Sequence, residues 1–107
     1  MKESYGAMLI AKERSRQVEE EGFTEKDDDM QGGNLAVAGA CYALNVAARI
    51  SVLDKSWRVA YERERLHLWP WAFECWKPTF NDPIRELTKA GALIAAEIDR
   101  LHRKVSV

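Results

Sequence analysis

Apolar and polar positions along this chain recur mostly at helical spacing. Tyr5, Met8, Leu9 and Lys12 share one face of a first helix, predicted from about Glu3 to Glu21, and Ala7, Ala11, Arg14 and Val18 share the next. Gly22 suits the helix stop, with Phe23 as its hydrophobic contact. A polar loop from Thr24 to Gly33 follows. The second helix, from about Asn34 to Val52 with Asn34 as its cap, is apolar nearly all round, which marks an element covered on several sides. Small residues at Ala36, Gly39, Ala40, Ala43 and Ala47 let a neighbouring backbone come close.

Residues 54–68 read as a short helix capped by Asp54, with an Arg58–Glu62 pair, or as a short strand over 57–61; the charges of YERERL favour helix. Trp69-Pro70-Trp71 and Lys77-Pro78 then forbid a continuous helix. Asn81-Asp82-Pro83 is a helix-start signal. The last helix, from about Pro83 to Arg103, carries Ile84, Leu87, Gly91, Ile94, Ile98, Leu101 and Val105 at three- and four-residue steps. Gly91 costs about 1 kcal/mol of helix propensity relative to Ala, which predicts close packing on the small face of the second helix. The expected fold is therefore all-α: one domain over 1–107, a compact bundle of three main helices with a short helical and aromatic insert between the second and third.

Composition narrows the function. Sixteen basic against seventeen acidic residues leave a net charge of −1, with no basic excess for nucleic acid or an anionic membrane. The uncharged run from Gly33 to Ala48 is too short to span a bilayer. The N-terminus has no continuous apolar signal-peptide core, so a cytoplasmic protein is expected. Cys41 and Cys75 read as reduced thiols, and with His67 and His102 they show no zinc spacing.

Three groups of residues are candidates for chemistry. Glu19, Glu20, Glu21, Glu25, Asp27, Asp28 and Asp29 offer carboxylates suited to a divalent cation, but lack the spacing of a calcium loop and read as a solvated helix end, so no metal is expected. Trp57, Tyr61, Trp69, Trp71, Phe73, Trp76 and Phe80 fall within 24 residues; such rings roof a core or stack on a ligand. Of these, Trp76 beside Lys77 is the best candidate for an exposed ring next to a cation. Lys89 and Glu97, two turns apart on one face of the last helix, read as a buried charged pair pointing into a pocket or as part of a solvated face. Arg14, Arg16 and Gln17 on the first helix raise the same choice: a guanidinium there could grip a phosphate or carboxylate, or pair with Glu20. No nucleophile elbow, phosphate loop or zincin motif is present.

Taken in order, Arg16-Gln17, EEEGFTEKDDD, ACYALN, Trp69-Pro70-Trp71, Trp76-Lys77-Pro78 and KAGALIAAEIDRLHR resemble a family of small proteins encoded by temperate phages and prophages of enteric bacteria. The resemblance covers about Glu13 to Arg103 and implies a phage origin and a host-cytoplasmic location. Asn34 departs from it, since the family often has an acidic residue there. The same order of Arg, Gln, EGF, DD, a Trp/Pro turn and a Lys-bearing helix is loosely similar to ryanodine-receptor-type repeat domains, which are linked to nucleotide ligands. The Glu clusters resemble MazG-like nucleotide pyrophosphohydrolases, but the second helix has no acidic residue and Glu97 is followed by Asp99 rather than by an aspartate at the required spacing.

The function expected from these readings is non-enzymatic sequestration of a small nucleotide-type ligand by Arg14, Arg16, Gln17, Asp28, Trp69, Trp71, Trp76, Lys77 and Lys89, with no catalytic residue and no cofactor. The competing readings are an inhibitor that docks on a host protein and a metal-dependent nucleotide hydrolase. A helix apolar all round also predicts a homo-oligomer.

Overall fold

A computed structural model describes residues 2–20, 22, 24–50 and 55–105. Its order is α1 (Tyr5–Glu19), α2 (Glu25–Asp29), α3 (Asn34–Ile50), α4 (Lys55–His67), a single 3₁₀ turn (Phe73–Cys75) and α5 (Pro83–Val105). There is no strand among the described residues, so the all-α expectation holds and the strand alternative over 57–61 falls.

Helix α1 starts two residues later than predicted. Ser4 has extended backbone, and its hydroxyl accepts from the Ala7 amide at 3.1 Å, which places the cap there. Gly22 sits at φ +72°, as a helix stop requires, while Glu21 and Phe23 lie outside the described residues. The predicted loop contains α2, which was missed. Thr24 and Asp27 form a capping box: the Asp27 amide donates to Thr24 Oγ1 and the Thr24 amide to Asp27 Oδ2. A five-residue helix is too short to show a period, but its Thr-x-x-Asp signature was legible. Asn34 is the first residue of α3 rather than its cap; its amide donates to the Gln31 carbonyl. Val52 and Asp54 fall outside the described residues. Arg58 does not turn to Glu62; its Nε donates to the Ala48 carbonyl at 3.1 Å, tying α4 to α3.

The antiparallel pair α3 and α5 is the spine, with α4 along α3 and α1 along α5. The glycine roles differ from expectation. Gly39 makes the close approach to α5: a Cβ there would stand 3.0 Å from both the Ala90 carbonyl and Ile94 Cγ1. Gly91 faces α1 instead, where an added Cβ would collide with the end of Ile10.

The core holds Leu35, Ala38, Cys41, Tyr42, Val46, Ala90, Ala92 and Ala96, and it also holds charge. Glu86 is fully buried. Its carboxylate accepts from Asn45 Nδ2 at 2.6 Å, from Arg49 at 3.2 Å and from the Thr79 amide at 2.8 Å, so α3 and the segment before α5 both supply donors. The apolar stripe of α5 does not face this core. Ile84, Leu87, Ile94, Ile98 and Leu101 are 43–60% exposed, because the small and polar residues Glu86, Ala90, Ala92, Ala96 and Glu97 occupy the inward side.

Candidate functional site

The irregular segment 68–82 has almost no backbone hydrogen bonds to other elements, so side chains from the spine hold it. The Lys77 amide donates to Tyr42 Oη at 3.1 Å, the Thr79 amide to Glu86, and Lys89 Nζ to the Lys77 carbonyl. Tyr42 also anchors the aromatic cluster. Trp76 stacks on its ring at 4.8 Å between centroids, and Trp69 meets it edge-on at 5.5 Å. Trp71 meets Trp69 edge-on at 5.4 Å and donates Nε1–H to Gln31 Oε1 at 2.8 Å.

These contacts shape a cleft of about 470 Å³ between α1, α5 and the aromatic segment. Tyr42, Trp69, Trp71 and Leu93 supply its apolar walls; Gln17 and Gln31 supply amides; Arg16, Lys77 and Lys89 supply cations; Glu13 and Cys75 complete the lining. A narrower hollow of about 160 Å³ continues behind Trp71, shares Gln17, Gln31 and Leu93 with the cleft, and reaches Asp28.

Two of the three cations, Arg16 and Lys89, are placed by specific partners. Glu13 is buried and grips two arginines in forks, Arg16 from its own helix at 2.8 and 2.9 Å and Arg85 from α5 at 2.6 and 3.2 Å. The Arg16 hydrogen bonds, reinforced by Arg85, hold the Glu13 carboxyl at a pKa of about 2 against the opposing effect of burial. Lys89 stands 4.9 Å over the Tyr42 ring, and burial, with Arg85 nearby, lowers its pKa.

Six of the nine residues singled out from sequence meet in this cleft: Arg16, Gln17, Trp69, Trp71, Lys77 and Lys89. Trp76 does not stand out as an exposed ring; it is half-buried behind the wall, stacked on Tyr42. Arg14 lies elsewhere, in a hollow at the far ends of α1 and α5, where it pairs with Asp28 at 3.2 Å and Asp99 at 3.4 Å. Asp28 spans both regions, and burial raises its carboxyl pKa despite Arg14 and Arg103. Arg16 pairs with Glu13, and Glu97 pairs with Arg100 rather than with Lys89.

The acidic cluster is used by the fold. Asp27 closes the capping box, Asp28 meets Arg14 and Asp29 meets Arg103 at 2.9 Å. Among the described residues no three His, Cys, Asp or Glu side chains converge as a metal site. The cysteines are free, Cys41 buried and Cys75 exposed at the cleft. No helix among the described residues is long and apolar enough to cross a membrane.

Sequence reasoning missed Glu13, Gln31, Tyr42, Asn45 and Glu86. Asn45, the one amide inside a wholly apolar helix turn, was a readable signal; the two glutamates were not, because Arg85 reaches Glu13, and Asn45 and Arg49 reach Glu86, from other helices. Searches of protein-family models, of curated proteins and of solved structures find no match to this chain.

Proposed function

We propose that the cleft binds a small anionic molecule with a planar ring, of the nucleotide class, and that the protein sequesters it without chemical change. The observation that carries this reading is the meeting of aromatic walls (Tyr42, Trp69, Trp71) with three cationic side chains (Arg16, Lys77, Lys89) in one concavity. Rings suit a base by stacking, and cations suit its phosphate. The Gln17 and Gln31 amides, each both donor and acceptor, suit the edge of a base. Three observations support binding over docking or hydrolysis: the aromatic segment is concave where it meets the spine, its carboxylate Glu13 is already committed to two arginines, and the acidic 25–29 stretch is committed to caps and ion pairs. A phage protein of this kind would remove a nucleotide signal from the host.

The test is a thermal-shift and calorimetry panel of mono-, di- and cyclic nucleotides on the full chain, with mass spectrometry of whatever heating releases. A bound nucleotide is expected to raise the melting temperature, by the equivalent of about 2.7 kcal/mol at a hundred times its Kd, and to be released intact. Lys89→Met and Trp71→Ala are each expected to weaken it about tenfold or more at unchanged helix content. Release of a cleaved product would replace this reading by hydrolysis; no binding anywhere in the panel would end it.

A further inference from the structure

The side of the spine away from the cleft is a second surface with a different chemistry. On α5, Ile84, Leu87, Gly91, Ile94, Ile98 and Leu101 follow one another at alternating steps of three and four, the seam of a coiled coil; the five apolar side chains are exposed, and Ile10 of α1 closes over Gly91 between them. On α3, Ala36, Ala40 and Ile50 are exposed and Ala43 and Ala47 half-exposed, on one side of that helix. The two rows adjoin, because Gly39 seats α3 directly against Ala90 and Ile94. Lys89 lies about half a turn from Ile98 around α5, as Tyr42 does from Ala40 around α3, so the surface faces away from the cleft.

Charge meets the surface at one end: α3 has none from Asn34 to Ala48 and those of α5 between Ile84 and Leu101 lie off the seam, while Ile84 borders a hollow that Lys12, Asp82 and Arg85 also line. We infer that this two-helix face is the interface of a homodimer, in which the Ile and Leu ridge on α5 of one copy lies over the alanine groove on α3 of the other. A twofold axis makes a ridge beside a groove self-complementary, since each copy offers what the other lacks. Two antiparallel helices packed on two more form a four-helix bundle.

The size fits. The 17 residues of α3, like the seam of α5 beside them, run for about 26 Å, and a pair of neighbouring helices is about 18 Å wide, a footprint of roughly 450 Å². Accessible area exceeds such a projection, and standard interfaces bury about 800 Å² per partner. An anionic membrane is a poorer occupant, because no basic rim flanks the seam and the chain is slightly acidic.

Sedimentation equilibrium of the full chain at micromolar concentration tests the proposal. The expected mass is twice the 12.2 kDa of one chain. Leu87→Lys with Ile98→Lys, and separately Ala40→Lys, are each expected to raise the dimer dissociation constant about a hundredfold or more while circular dichroism keeps its helical signal, since burying an unpaired charge is costly. These positions are exposed in the single copy, so the variants fold. A wild-type chain that sediments as a monomer overturns the proposal, whether or not it binds vesicles. So does a dimer that the α5 variant dissociates and Ala40→Lys leaves intact, because α3 would then lie outside the contact.

Discussion

Asn45 and Glu86 meet inside the spine, Nδ2 to Oε2 at 2.6 Å, with almost no solvent reaching either side chain. A carboxylate at this depth is stable only while all its donors remain. Glu86→Ala strands Asn45, Arg49 and the Thr79 amide together, and a loss of about 3–5 kcal/mol is expected in urea unfolding. Asn45→Ala removes one donor of three and should cost about 1–3 kcal/mol.

Acid should weaken the protein through Glu13. Its folded pKa of about 2 lies below the ordinary 4.5, so its contribution is complete above pH 4.5 and is lost as pH falls toward 2. That contribution is about 3 kcal/mol. Stability measured against pH should fall across this window in the parent and stay flatter in Glu13→Gln, which starts lower.

Asp28 has the opposite sign. Its folded pKa is raised, so its charged form is disfavoured by folding at neutral pH and the penalty is relieved as pH falls through that raised value. Arg14 keeps Asp99 as a partner when Asp28 is gone. Asp28→Asn is therefore expected to match or exceed the parent's stability at pH 7, in contrast to Glu13→Gln, under the same denaturation assay.

The two packed glycines should answer differently to alanine. At Gly39 the new methyl group meets a backbone carbonyl, which cannot step aside, and a loss of about 1–3 kcal/mol should outweigh the helix-propensity gain of about 1 kcal/mol. At Gly91 the obstacle is the Ile10 side chain. Gly91→Ala combined with Ile10→Ala should be more stable than the two single losses add up to, by about 0.5–3 kcal/mol in a double-mutant cycle.

Thiol labelling should count one fast cysteine and one slow. Cys75 is exposed at the cleft, whereas Cys41 is buried and its thiol pKa is pushed up by that burial. A nucleotide that occupies the cleft should slow the fast phase alone, which gives a reading of site occupancy independent of calorimetry.

Periodicity located three of the helices within a few residues and marked α3 as central, and proline placed the break that shapes the cleft. It did not say which way the α5 stripe faces. A period reveals that one side of a helix is apolar; what covers that side depends on where the neighbouring helices fall, and α1 and α3 here flank the small-residue side of α5. The same limit hid Glu13 and Glu86. Along the chain each is an ordinary glutamate in a charged neighbourhood, and only folding brings Arg85 to the first, 72 residues away, and Asn45 to the second, 41 residues away. Lys77 was legible because it stands beside Trp76 in the chain, and Arg16, Gln17 and Lys89 because cations and an amide on a helix face are chemically suggestive before the third dimension is known.

The segment 76–79 has its main chain fastened at three points by the tips of Tyr42, Glu86 and Lys89, where a strand would be fastened by its neighbour's main chain. Side-chain anchors are spaced by the helices that carry them, so they fit one length of chain only. Inserting or deleting a single residue between Trp71 and Thr79 would miss all three, while replacing the outward Phe73 or Glu74 would disturb none. Descendants of this protein are free to repaint the rim of the cleft, and are held to one loop length as long as they keep the spine.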